Sequence, residues 1–254
     1  MKLAAAALAT TVLALAACGG DGDQAAEKPQ LTVSAAASLK TAFTAYGKQF
    51  DGASARFSFA GSDELAAQIE KGVKPDVFAA ANTKLPDALY AKGLVEKPTV
   101  FAGNRLVLAV PADGATVDSL KDLGGDGVTL AVGARHVPIG SYTRTVLEKL
   151  PAAHRKAILG NVRSQEPDVA GITGKLTQGA VDAGFLYASD VRATDDKVRA
   201  IELPDTLQPT VAYGVAVVKG AKHPKQAETF IAGLLDGGGA RALKDAGFLP
   251  PPTQ

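Results

Sequence analysis

Short apolar runs of strand length alternate with helical patterns along almost all of this 254-residue chain, and that alternation restricts the fold more than any other feature. Residues 31–37 (LTVSAAA) read as a first strand. Leu39, Ala42, Phe43, Tyr46 and Phe50 then recur at the spacing of one helix face. A second strand is expected at 56–60, and a short helix at Leu65, Ala66 and Ile69, closed by Gly72. A third, buried strand is expected at 76–81 (DVFAAA), with a helix near 84–92. Further strands are expected at 105–110, 128–132, 183–187 and 211–218, and helices at 141–149, 169–178 and 225–235. Repeated β-then-α order implies a parallel-rich sheet covered by helices, an α/β fold. No internal sequence repeat of roughly 20 to 50 residues is visible.

The first residues address the compartment. Lys2 gives a short positive start, and residues 3–17 form an uncharged run dominated by Ala and Leu. A membrane span needs about 20 apolar residues, so this run has the length of a signal-peptide core instead. It ends in Leu15-Ala16-Ala17-Cys18, which resembles the bacterial lipobox, with Cys18 lipidated on sulfur after cleavage. Residues 1–17 are therefore expected to be a signal peptide, and 18–30 a lipidated Cys followed by a flexible tether. Cys18 is the sole cysteine, so neither an intramolecular disulfide nor a Cys-based metal site can form. Two acyl chains on one thioether-linked group suffice for stable anchoring, which puts the mature protein on the outer face of the cell membrane.

The 27 basic and 26 acidic side chains balance, and no long basic run breaks that balance. Nucleic acid is accordingly not expected as a partner. About 225 residues remain after the leader and tether, enough for two modest domains or one large one.

In open α/β sheets, ligands sit beyond the C-terminal ends of strands, beside helix N-termini. Ser38 falls between the first strand and first helix, and Ser62 falls in the equivalent place after the second strand. Each could be an ordinary N-cap accepting from its own helix. Two such serines at consecutive strand ends also suit anion binding, because helix N-termini offer unpaired N–H groups and partial positive charge. Catalytic motifs are lacking. No Ser lies in G-x-S-x-G, and His136, His154 and His223 form no H-E-x-x-H. Residues 237–242 (GGGARA) match a relaxed G-x-G-x-x-A but follow a helix rather than a strand, and read as a helix stop and connector. Gly124-Gly125-Asp126-Gly127 lacks the Lys-Ser/Thr of a P-loop and reads as a turn.

An ordered set of landmarks spans nearly the whole mature chain. It comprises AAASL at 35–39, FAGS at 59–62, PDVFAAA at 75–81, GNRLVL at 103–108 and AVG at 131–133. It continues with HVPIGSY at 136–142, Asp168-Val169, GFLYASD at 184–190 and AGF at 246–248. Together these resemble the periplasmic molybdate-binding proteins of ABC transporters, the ModA family.

The resemblance implies a two-lobed periplasmic-binding-protein fold of type II, with two crossovers near residues 103–105 and 210–213. Lobe 1 would comprise 31–102 plus 213–254 and lobe 2 would comprise 103–212, with the ligand in the cleft between them. It further implies a solute-binding protein rather than an enzyme, a monomer without a resident cofactor, delivering molybdate or tungstate to an ABC permease. Carried over by motif, the ligand contacts would be Ser38 and Ser62 in lobe 1 and Val169 and Tyr187 in lobe 2. Ile139 would add a backbone N–H; many family members have Ala there, and some have Ser where this chain has Gly61. No bare metal cation would be bound, only the oxyanion.

Such a site suits a tetrahedral dianion. Burying a charge needs either a cationic partner or many oriented dipoles, and none of the five positions is Lys, Arg or His. Hydrogen bonds to a charged acceptor contribute about 1.5–3 kcal/mol each, and a helix N-terminus adds about 0.3–1 kcal/mol. Donor-only pockets disfavour a protonated phosphate, whose proton would find no acceptor unless Asp63 or Asp168 faced inward. Sulfate has no such proton, so only pocket size separates it from molybdate. Three rivals remain: a carrier of sulfate, phosphate or ferric ion; an exported α/β hydrolase or transferase using a Ser–His pair; and a non-transport lipoprotein.

Overall fold

A computed structural model describes residues 28–252; the expected signal peptide, Cys18 and most of the expected tether lie outside the described residues. The expected two-lobed α/β architecture is present, built on two five-stranded sheets.

The first lobe begins with β1 (Gln30–Ala36), which passes through a short 3-10 turn (Ala37–Leu39) into α1 (Lys40–Gln49). It continues with β2 (Ser54–Ala60), α2 (Ser62–Glu70), β3 (Val77–Ala80), α3 (Lys84–Ala91) and β4 (Thr99–Asn104). The chain then enters the second sheet as β5 (Leu106–Pro111), leaving Arg105 as the single residue between the two sheets. There follow β6 (Leu130–Gly133), α4 (Pro138–Glu148), α5 (Ala152–Gly160), β7 (Val162–Glu166) and α6 (Val169–Thr177). Next come β8 (Ala183–Tyr187), α7 (Ala188–Arg192) and β9 (Val198–Glu202). The chain returns to the first sheet as β10 (Val211–Val217) and ends with α8 (Pro224–Leu235) and α9 (Gly238–Asp245).

The sheet orders are β2-β1-β3-β10-β4 and β7-β6-β8-β5-β9. In each, three parallel strands adjoin one strand running the other way, β10 in the first sheet and β5 in the second. A sequence without a visible repeat thus makes the same layout twice. The likeness extends to detail. Asp76, ahead of β3, accepts from the Thr32 N–H at 2.7 Å and the Thr32 hydroxyl at 2.8 Å. Asp182, ahead of β8, accepts from the Thr129 N–H at 2.7 Å and the Thr129 hydroxyl at 2.6 Å. Burial alone would raise the Asp76 carboxyl, but hydrogen bonds from Thr32 and the His223 N–H outweigh it and hold the pKa below its usual value.

The core follows the apolar periodicity. Phe43 on α1 is fully buried against Phe57, Phe101 and Phe230, with ring centroids 5.6–6.1 Å apart. Burying such a side chain contributes about 1.5–3 kcal/mol.

Several elements differ from the sequence expectation. The helix expected at 141–149 starts at Pro138, because proline at the first helical position has no N–H to lose and its φ suits the helix. Strands β7 and β9 were not expected. They are the two edges of the second sheet, half exposed and carrying Arg and Glu, which blunts a strand edge and hides its apolar pattern. The edge strand β4 was missed, and so was α5, which buries only Ile158 and has no apolar stripe. Residues 237–242 are not a connector: Gly238–Asp245 is a helix, packed on α1 and α8 through Ala242 and Leu243. Tertiary packing there overrides the poor helix propensity of glycine.

Candidate functional site

The C-terminal ends of β1, β2 and β3 face the corresponding ends of β6, β7 and β8 across a cleft. Between them lies a small cavity of about 20 Å³. Drug-sized ligands occupy pockets of about 300–1,000 Å³, so this one has room only for an ion of a few heavy atoms. All five residues singled out from the sequence line it: Ser38 and Ser62 from the first lobe, and Ile139, Val169 and Tyr187 from the second. Each is buried.

Helix starts supply amides to this cavity. Ser62 and Val169 are the first residues of α2 and α6, and Ile139 is the second residue of α4, so their N–H groups have no partner within the helix. The first turn of α4 lies unusually close to the end of β6. A Cβ on Gly140 would fall 1.9 Å from the Ala134 carbonyl oxygen, so only glycine lets the helix start there and brings Ile139 to the cavity wall.

Neither serine is an N-cap. No side-chain cap bond is made at the start of α1 or α2. The Ser62 Oγ accepts from the Ala81 N–H at 3.1 Å, which leaves the Ser62 proton free to donate. The Ser38 Oγ lies 3.0 Å from the Tyr213 hydroxyl. The Tyr187 hydroxyl is buried with no hydrogen-bond partner among the described residues, although it borders the cavity. Burial, followed by the nearby Tyr213, Tyr142 and Asp190, raises the Tyr187 pKa well above the usual phenol value, so this group keeps a proton that it can donate.

No Lys, Arg or His lines the cavity, and Asp168 is its one charged lining residue. The Asp168 Oδ1 caps α6 by accepting from the Gly171 N–H at 3.1 Å. Asp63 is not in the lining; its Oδ2 meets His136 Nε2 at 3.2 Å across the cleft. Behind Tyr187, Asp190 accepts from the Tyr187 N–H at 3.2 Å. Burial is the main cause that pushes the Asp190 carboxyl up to about 7; the Tyr187 N–H pulls down and Asp168 pushes up.

The lobes touch at the rim. A Cβ on Gly61 would meet the Pro167 carbonyl oxygen at 2.6 Å, so a serine at 61 would not fit this closed arrangement. Tyr213, Asn104, Asp190 and Pro167 were not identified as site residues from the sequence. The one available signal was a tyrosine amid the aliphatic residues of 211–217, since a buried phenol must find a partner.

Nucleophile–base geometry is not present in the lining, which contains no histidine. Among the described residues, no helix is long and apolar enough to cross a membrane, and no group of three or more His, Cys, Asp or Glu could hold a metal ion.

Comparison with known proteins agrees with this arrangement. The Mycobacterium tuberculosis molybdate-binding protein ModA is 34% identical over 255 residues, covering 96% of this chain and 95% of that protein. The solved periplasmic molybdate-binding protein of Azotobacter vinelandii superposes with a TM-score of 0.78 at 21% identity, over 87% of this chain and 100% of that one. The sulfate-binding protein SubI of M. tuberculosis shares the fold, with a TM-score of 0.76 at 17% identity over 87% of each chain. Residues 31–249 match the family described as bacterial extracellular solute-binding protein. A two-lobed fold, a small donor-lined cleft and that match over nearly all the described residues lead to one assignment: the chain belongs to the bacterial extracellular solute-binding proteins, alongside their ModA molybdate-binding members.

Proposed function

We propose that this protein captures molybdate, and tungstate in the same pocket, and delivers the ion to an ABC permease without transforming it. The observation that carries this reading is the cavity itself. Two serine hydroxyls, a tyrosine hydroxyl and the amides of Ile139 and Val169 surround it, with no cation in its lining. Oriented neutral donors can hold a dianion that retains no proton; the one lining carboxylate that could take the proton of a hydrogen phosphate, Asp168, already accepts from the Gly171 N–H through its Oδ1. The name of the M. tuberculosis relative supports molybdate as the specific ligand.

In this reading Ser38, Ser62, Ile139, Val169 and Tyr187 are the ligand residues. The lobes divide at the two crossovers, at Arg105 and just ahead of β10, and the protein acts as a monomer tethered through lipidated Cys18 to the outer face of the cell membrane. It needs no cofactor.

Calorimetric titration with molybdate, tungstate, sulfate and phosphate tests the reading. Molybdate and tungstate should bind, sulfate more weakly and phosphate least, and Ser38→Ala and Ser62→Ala should each weaken molybdate binding. Preference for sulfate would move the assignment to that oxyanion, and no oxyanion binding at all would overturn it.

A further inference from the structure

Resting on the reading of Ser38 as a ligand residue, we infer that Tyr213 is a positioning residue that orients the Ser38 hydroxyl toward the bound oxyanion.

Ser38 has one hydroxyl proton. If it donates to Tyr213, nothing is left for an anion; if Tyr213 donates to it, the Ser38 proton is free. The 3.0 Å contact alone permits either direction. Burial fixes the direction. The Tyr213 ring is fully buried, and among the described residues its hydroxyl has one hydrogen-bond partner, the Ser38 Oγ. A buried hydroxyl proton left without an acceptor is costly, so the Tyr213 proton goes to Ser38 and the Ser38 proton is left for the anion. Burial, followed by Asp190, raises the Tyr213 pKa well above the usual phenol value, so the phenol keeps the proton that it donates. The resulting relay runs from Tyr213 O–H to Ser38 O–H and then to the anion. Ser62 is supplied from behind in the same sense by the Ala81 N–H.

Backbone geometry agrees. The register between β10 and β4 shifts at Tyr213/Gly214, and such irregularities re-aim side chains beside functional sites. The phenol also stands between the crossovers. Asn104, which ends β4 just before the first, donates through Nδ2 to the Ser189 Oγ of α7 in the second lobe at 2.8 Å, and Tyr213 lies near the start of β10 after the second.

A double-mutant cycle on the full chain, read by molybdate calorimetry, tests this assignment. Tyr213→Phe keeps the ring packed on Phe101, Tyr187 and Phe248 and should weaken molybdate binding about tenfold. In a Ser38→Ala background the same change should cost almost nothing. A merely structural role would give the same loss in both backgrounds, and that result, or unchanged affinity of Tyr213→Phe, would overturn the assignment. If Tyr213→Phe melts far below the parent, the cycle is run at a temperature where all four proteins are folded; a larger loss with Ser38 present supports the relay and equal losses reject it. Failure of the parent to bind any oxyanion would remove the functional reading and this assignment together; binding by the parent with an additive cycle would remove only the role of Tyr213.

Discussion

His136 Nε2 lies 3.2 Å from Asp63 Oδ2, joining the second lobe to the first at the rim of the cleft. The His136 side chain is 71% exposed, so water and salt screen the pair. Exposed ion pairs generally contribute about 0–1 kcal/mol. His136→Ala should therefore weaken oxyanion binding by no more than about fivefold, and raising the salt concentration should shrink the difference from wild type. Calorimetry at two ionic strengths checks it; a loss that persists in high salt would mean that His136 does more than close the rim.

Tyr187 offers a test in which two measurements move in opposite directions. A buried hydroxyl without a partner costs roughly 1–3 kcal/mol, and the Tyr187 hydroxyl is in that position. Tyr187→Phe should leave the melting temperature of the ligand-free protein unchanged or raised, yet weaken molybdate binding about tenfold. A variant that loses stability and keeps its affinity would show that the hydroxyl serves packing rather than the ligand.

Gly61 limits closure. A Cβ there meets the Pro167 carbonyl oxygen at 2.6 Å, so Gly61→Ala must hold the lobes apart or strain the rim, at roughly 1–3 kcal/mol. Stopped-flow measurements should show faster ligand release with little change in the ligand-free melting temperature. Unaltered release would mean that closure in solution stops short of this contact.

Asp190 gives the protein a pH dependence of known sign. Its carboxyl is held neutral up to about 7 in the folded state, whereas an unfolded aspartate ionises near ~3.9. Between those values the folded state keeps a proton that the unfolded state has lost, so this group's contribution to stability falls as pH rises from about 4 to 7 and is level above that. The span is worth on the order of 4 kcal/mol at most, lessened by the partial exposure of the residue. Asp190→Asn can still accept from the Tyr187 N–H and should remove that slope. Denaturant titrations across this range would reject the account if wild type and variant ran parallel.

Legibility from sequence followed burial. Residues 183–187, buried on both faces, were read with their observed bounds. The edge strands β7 and β9, with one face in water and charges along them, carried too weak a period to be seen. Ser38 and Ser62 were legible from their place after the first two strands, whereas Ile139, Val169 and Tyr187 came from the family resemblance; the cavity brings all five together. Tyr213 was not legible, since its role depends on a contact 175 residues away in sequence, to Ser38. No local pattern records such partners. Ile139 was legible only as a backbone donor, and it is the glycine one residue later that allows the helix to start where it does.

The strand orders also dictate how the molecule can be assembled from its N-terminus. All strands of the second sheet lie between residues 106 and 202, so that sheet can close as soon as this stretch is available. The first sheet cannot, because β10 stands between β3 and β4 and comes last of all the strands. A chain cut after residue 210 would keep one complete lobe and leave the other with a gap in its sheet, two facing strand edges waiting for residues 211–217. The half of the cleft that carries Ser38 and Ser62 is thus the later half to be completed, and the carrier becomes competent only when its tail has threaded back through its oldest part.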